Sequence, residues 1–89
     1  MRAVVTVIGK DMVGILGKVA TECANHNANV IEVTQSVLQE LFAMVMLVDI
    51  TDLSSPFPAF SAALAGIGES MGMQVHVMHE EIFNSMHRV

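Results

Sequence analysis

Residues 8–16 read I-G-K-D-M-V-G-I-L, a glycine-bearing turn set between an apolar run, Ala3 to Ile8, and a segment whose apolar residues return at helical spacing. Val4, Val5, Thr6, Val7 and Ile8 stand in succession, and an unbroken row of mostly β-branched side chains suits a buried strand. The stretch therefore turns a strand, Arg2 to Gly9, onto a helix. Asp11 has a carboxylate able to accept from amides one turn ahead, as a helix cap does. Leu16, Val19, Ala20 and Cys23 give that helix its inward stripe. Asn25, His26 and Asn27 end it, because their side chains favour helix ends and turns.

Working outward, Asn29 to Leu38 alternates, with Ile31, Val33 and Val37 on one face and Glu32, Thr34 and Ser36 on the other, the pattern of a strand with one wet side. Gln39 and Glu40 suit a hairpin link. Leu41 to Ile50 follows as a strand whose two alternating sets, Phe42, Met44, Met46, Val48 and Ala43, Val45, Leu47, are both apolar. Such a strand is expected to be central and covered on both sides. Ser54, Ser55 and Pro56 read as a helix start, with a serine to cap and a proline tolerated in the first turn. Phe60, Leu64, Ile67 and Met71 are its stripe, Gly66 and Gly68 weaken it, and Gly72 stands at its C-terminal cap. Met73 to His79 is the last strand. Ile82, Phe83 and Met86 recur at helical spacing in the tail.

Strand, helix, strand, strand, helix, strand is the split βαβ order. The expected fold class is α+β: a ferredoxin-like βαββαβ sandwich, a four-stranded antiparallel sheet with two helices on one face, plus a short C-terminal helix. Residues 1–80 are expected to form the domain. Residues 81–89 form a helical tail, packed on the domain or on a partner subunit.

The composition bounds the partners. A chain of 89 residues makes one small core, near the lower size limit for folding alone, so self-association helps. Its hydrophobic fraction of 53% against 15% charged residues leaves apolar surface to cover after folding, and a homodimer or higher homo-oligomer is expected. Arg2, Lys10, Lys18 and Arg88 are the only fixed cations and the net charge is −5, too little positive surface for direct nucleic-acid binding. No apolar run approaches the roughly 20 residues that span a bilayer, and M-R-A-V-V-T-V lacks the features of a signal peptide, so a cytoplasmic protein without membrane association is expected. One cysteine excludes an internal disulfide.

D-M-V-G-I-L at 11–16, A-N-V-I-E-V at 28–33 and L-A-G-I-G-E-S-M-G-M-Q-V at 64–75 together resemble the ACT domain, a small regulatory ligand-binding module. The likeness spans nearly the whole chain. The ending E-I-F-N-S-M-H-R resembles that of stand-alone single-domain ACT proteins. The resemblance implies an amino-acid site between two domains, lined by a polar residue before the loop glycine, the glycine, and an Asn or Asp opening the second strand. Here those positions are Asp11, Gly14 and Asn29, with Met12, Val13, Ile15, Val30 and Ile31 beside them. The family often has proline directly before the glycine, where this chain has Val13.

Each of these residues also has a local explanation. Gly14 either exposes the amides of Met12 to Ile15 to a ligand carboxylate at a helix N-terminus, or merely lets the first helix pack closely. Asp11 grips an amino group or caps the helix. Asn29 offers a donor and an acceptor to a zwitterion, and equally suits the turn before a strand. Lys10 beside the turn is read as solvated. His76 and His79, three apart on a strand, fall on opposite faces, so no metal site is expected from them, and nothing in the spacing of His87 or Cys23 adds one. Cys23 lies on the apolar stripe and reads as a core residue, and the eight methionines read as packing.

Other users of this architecture fit less well. An acylphosphatase-like hydrolase needs an arginine in the first loop, and residues 9–17 have only Lys10 as a cation. An RNA-recognition domain needs aromatics on its central strands, where only Phe42 stands, and a metallochaperone needs paired cysteines. The expected function is a non-catalytic regulatory module, without cofactor, that binds a small ligand such as an amino acid at a subunit interface. The alternative is a structural or protein-interaction module that binds nothing small.

Overall fold

The computed structural model describes residues 1–10 and 14–86. The chain runs β1 (Arg2–Gly9), α1 (Ile15–Asn25), β2 (Asn29–Leu38), β3 (Leu41–Asp49), α2 (Phe57–Ser70), β4 (Gln74–His79) and α3 (Glu80–Met86). Its four strands pair antiparallel in the order β2-β3-β1-β4, so the ferredoxin-like fold expected from the element order is the one formed. No helix among the described residues is long and apolar enough to cross a membrane.

One face of the sheet carries Ala3, Val5 and Val7 of β1 and Phe42, Met44, Met46 and Val48 of β3, all buried in one core with Ile15, Val19 and Cys23 of α1 and Phe60 and Leu64 of α2. Both long helices thus pack on the same face. Alternation within β1 and β3 sends every second side chain into this layer. Leu16, expected in the α1 stripe, is instead exposed, because the helix begins at Ile15 and that start turns Ile15, Val19 and Cys23 inward.

Both long helices close with the same hydrogen-bond pair. At α1 the Ala28 amide donates to the Cys23 carbonyl at 2.8 Å and that of Asn27, at φ 61°, to Ala24 at 3.0 Å. At α2 the Met73 amide donates to Gly68 at 2.8 Å and that of Gly72, at φ 72°, to Glu69 at 3.2 Å. These are Schellman motifs, which satisfy terminal carbonyls through one left-handed residue. The start of α2 departs from expectation: Pro56 holds the cap position and no side chain caps the helix. The Ser55 hydroxyl has turned to another partner, described below.

In β2 the register steps from Val30 opposite Val48 to Glu32 opposite Leu47, so Ile31 is the extra residue of a bulge. A bulge shifts the side-chain phase by one. Val30 and Val33 therefore both pack against the core, and Ile31 does not share their face as simple alternation implies.

The second sheet face is the other departure. Val45 is 39% exposed and Leu41 and Ile8 are also exposed, so β3 is central in the sheet but covered on one side only within a single chain. α3 lies against β1 and β4, and Val4 of this second face is buried. Ile82 and Met86, apolar residues of the tail, stand 52% and 66% exposed.

Two glycines of α2 make opposite predictions. A Cβ on Gly68 would sit 2.4 Å from Val75 Cγ2 and 3.0 Å from the Met73 carbonyl oxygen, whereas one on Gly66 would meet nothing within 4 Å. Overpacking of that kind costs about 1 to 3 kcal/mol, and replacing a helical glycine by alanine returns about 1 kcal/mol. Urea unfolding is expected to show Gly66→Ala stabilised by about 0.5 to 1 kcal/mol and Gly68→Ala destabilised by up to about 2 kcal/mol.

Candidate functional site

The strand-to-helix turn ends at Gly14, the cap position of α1, in the left-handed region at φ 78°. Only glycine adopts that conformation without cost. A Cβ there would meet no described atom within 4 Å, so close helix packing does not explain the glycine, and backbone conformation does. The Lys18 amide donates to the Gly14 carbonyl at 3.0 Å, the first bond of the helix. The Gly14 and Ile15 amides precede that ladder and have no acceptor within it. Gly14 is exposed, while the Ile15 side chain is wholly buried in the core, so Ile15 has only its backbone to offer a ligand. Asp11, Met12 and Val13, and with them the expected Asp11 cap, lie outside the described residues, as does His87.

Asn29, Val30 and Ile31 open β2. Asn29 is exposed, Val30 packs against the core, and Ile31 projects from the bulge, 48% exposed. Asn29 pairs with Asp49, which pairs with Arg2, whereas Gly9 pairs with Phe42, which pairs with Val37. The two halves of the expected site thus sit at opposite ends of the sheet. Seven residue-to-residue steps of β1, from Arg2 to Gly9, separate those ends, about 23 Å at the rise of a strand. Within one chain no molecule of amino-acid size spans them.

The remaining candidates fall into place singly. Lys10 is exposed. Cys23 is fully buried, and burial, aided by the neighbouring Glu22 carboxylate, pushes its thiol up to about 11, which makes it an inert core group at neutral pH. His76 pairs with Thr6 and His79 with Ala3, on opposite faces; the His79 ring stacks on Phe57 with centroids 4.2 Å apart. Among the described residues no three His, Cys, Asp or Glu side chains converge as a metal site would need. A shallow hollow lies at the start of β1, lined by Met1, Arg2, His79, Glu80 and Glu81, and there Arg2 and Glu80 pair at 2.8 Å.

One cluster escaped the sequence reading. The Ser55 hydroxyl lies 2.6 Å from His26 Nδ1, and His26 Nε2 lies 3.3 Å from a Glu22 carboxylate oxygen. Glu22 and His26 are one helical turn apart, a spacing legible in the sequence. Ser55, 29 positions away, gave no signal there except that of a helix cap.

Comparison with known proteins places the chain. The model of the ACT domain family matches residues 2–78. A UPF0237 protein of Listeria monocytogenes is 44% identical over 89 residues, covering all of both chains. The solved structure of an ACT domain protein from Streptococcus pneumoniae superposes with a TM-score of 0.80 at 29% identity, covering 93% of each chain. The regulatory subunit of aspartate kinase from Thermus thermophilus shares the fold, with a TM-score of 0.65 at 22% identity over 86% of this chain and 50% of its own. With strand order, turn geometry and family match in agreement, the chain belongs to the ACT domain family.

Proposed function

We propose that the protein is a regulatory module that binds an amino acid, without acting on it chemically, between two copies of itself. The observation that carries this reading is the separation of the two candidate half-sites to opposite ends of a sheet whose β2 edge has no neighbouring strand among the described residues. An edge strand offers unpaired amides and carbonyls, and antiparallel β2 against β2 about a two-fold axis satisfies both copies alike. Such pairing brings the Asn29 end of one chain toward the Gly14 end of the other. The ligand carboxylate then meets the amides that open α1, Asp11 takes the amino group, and Asn29 of the second copy supplies a donor and an acceptor. Family membership supports the regulatory role, and a domain of this fold serves in the regulatory subunit of aspartate kinase named above. Because the ligand touches both copies, its binding is linked to their association.

A thermal-shift screen of the amino acids tests this. The right ligand at a hundred times its Kd should add about 2.7 kcal/mol, which in a domain of this size raises Tm by more than about 10 °C. Gly14→Leu, which forces a side chain into a left-handed backbone, and Asn29→Ala should abolish the response. Sedimentation should show a dimer at micromolar concentration, tightened by the same ligand. A monomer indifferent to every amino acid would overturn the proposal, and a dimer equally indifferent would leave an interaction module instead.

A further inference from the structure

We propose that Ser55 is a nucleophile, activated by His26 and Glu22, that takes up an acyl group from small activated donors such as thioesters and aryl esters. This chemistry is separate from the amino-acid site and uses none of its residues. One neutral tautomer of His26 satisfies both contacts. Glu22, as a carboxylate, has no proton to give, so the bond at 3.3 Å requires the hydrogen on His26 Nε2. In the neutral ring Nδ1 then carries the lone pair and accepts the Ser55 hydroxyl proton across 2.6 Å. A serine whose hydroxyl donates to a histidine that is itself held by a carboxylate is the constellation of serine hydrolases, here with the two ring nitrogens exchanged.

The scaffold keeps the three groups together. Glu22 lies in the last turn of α1 and His26 caps its C-terminal end, and the Ser54 amide donates to the His26 carbonyl at 2.9 Å, tying the segment before α2 to the helix end. Asn27 Nδ2 adds a bond to the Asp52 carbonyl at 2.8 Å, and the imidazole leans on Phe60 with centroids 5.5 Å apart. The His26 and Glu22 side chains are 18% and 28% exposed, shielded enough to strengthen the pair yet open to a small reagent. Ser55 has no competing duty as a helix cap, because Pro56 holds that position.

In the forward step the Ser55 oxygen attacks the acyl carbon while its proton passes to His26 Nδ1, giving an imidazolium that Glu22 stabilises. The tetrahedral adduct collapses, the bond to the thiolate or aryloxide breaks, and the leaving group takes the proton from Nδ1. An acyl-serine remains. Water, giving a proton to the same nitrogen, then attacks that ester; the serine oxygen leaves, recovers the proton, and a carboxylic acid departs. His26 is the general base and Glu22 a positioning residue.

The test is incubation of the full chain with p-nitrophenyl acetate, following p-nitrophenolate release and mapping the acetyl group by peptide mass spectrometry. A burst approaching one equivalent is expected, with the label on Ser55. General-base assistance amounts to about 10² to 10⁴ in rate, so His26→Asn should slow labelling at least tenfold, and Ser55→Ala should remove it. Glu22→Gln should slow labelling and shift the pH profile of the rate, which loss of packing alone does not do. Ser55→Cys should move the acetyl group onto the new thiol at a rate that adding His26→Asn lowers, a dependence that the exposed thiol of a misfolded variant does not show. Acetylation confined to lysines or the N-terminus in the wild type, or labelling of Ser55 unchanged in His26→Asn, would overturn the proposal.

Discussion

Phe60→Ala is expected to lower the unfolding free energy by about 3 to 5 kcal/mol, the cost of truncating a buried aromatic side chain in a core that only partly relaxes. Phe60 is wholly buried, in the same cluster as Ile15, Val19 and Cys23 of α1 and the inward side chains of β1 and β3. It joins three parts of the molecule, since its ring also lies 5.5 Å from that of His26 and 6.4 Å from that of Phe57, measured between centroids. A domain of this size is held by about 5 to 15 kcal/mol, so the loss approaches the whole stability at the lower end of that range. Urea unfolding checks it, with Val45→Thr on the second sheet face as comparison. That change is expected to stay within about 0.5 kcal/mol in a monomer, where the side chain is partly solvated. Equal effects of the two substitutions would show that the core does not lie between the sheet and α2.

The contrast between Phe60 and Val45 also marks what the sequence could and could not convey. β1 was legible because five consecutive strand-forming side chains leave no helical alternative, and apolar residues at helical spacing placed both long helices. The phase of β2 was not, because a bulge at Ile31 leaves no local mark: Ile31, Val33 and Val37 alternate perfectly on paper while the chain inserts one extra residue between Val30 and Glu32. Leu16 and Ile15 are adjacent and equally apolar, and which one turns inward depends on where the helix starts. That start depends on one dihedral angle at Gly14. Both apolar sets of β3 suggested two covers, but composition says that a face needs covering without saying whether the same chain does it.

The placement of the two candidate half-sites follows from the element order. In a β-α-β order the second strand begins at the end where the first began, so Asn29 had to lie far from Gly14 in one chain, and a site that uses both is proposed across two copies. Ser55 was misread because a serine before Pro56 has a local explanation that satisfies every neighbour in sequence. The partner that claims its hydroxyl is brought by the fold from 29 residues away.

Cys23 supplies the second large effect, one that appears only in alkaline solution. Its thiol is fully buried on α1, and ionising it there means placing a thiolate among apolar side chains next to Glu22, which holds the proton on up to about 11 against an ordinary value of 9.0. The sign follows from which state binds the proton more tightly. Here that is the folded state, so the contribution is fully present below 9.0 and is lost as the pH climbs from there toward about 11, where it levels off. A difference of about two units corresponds to a loss on the order of 2 to 3 kcal/mol. Alkali acts on the whole chain, so the informative quantity is the difference between wild type and Cys23→Ala in urea unfolding across that interval. The variant is expected to be less stable at neutral pH, because a small cavity replaces the sulfur, and to lose less on going to alkali, so that the two curves converge. Thiol labelling gives an independent measure, since a buried neutral thiol reacts only when α1 opens, and the rate should rise steeply over the same interval. Parallel stability curves with immediate labelling at neutral pH would mean that Cys23 meets solvent, and that the face of α1 assigned to the core is not the one packed there.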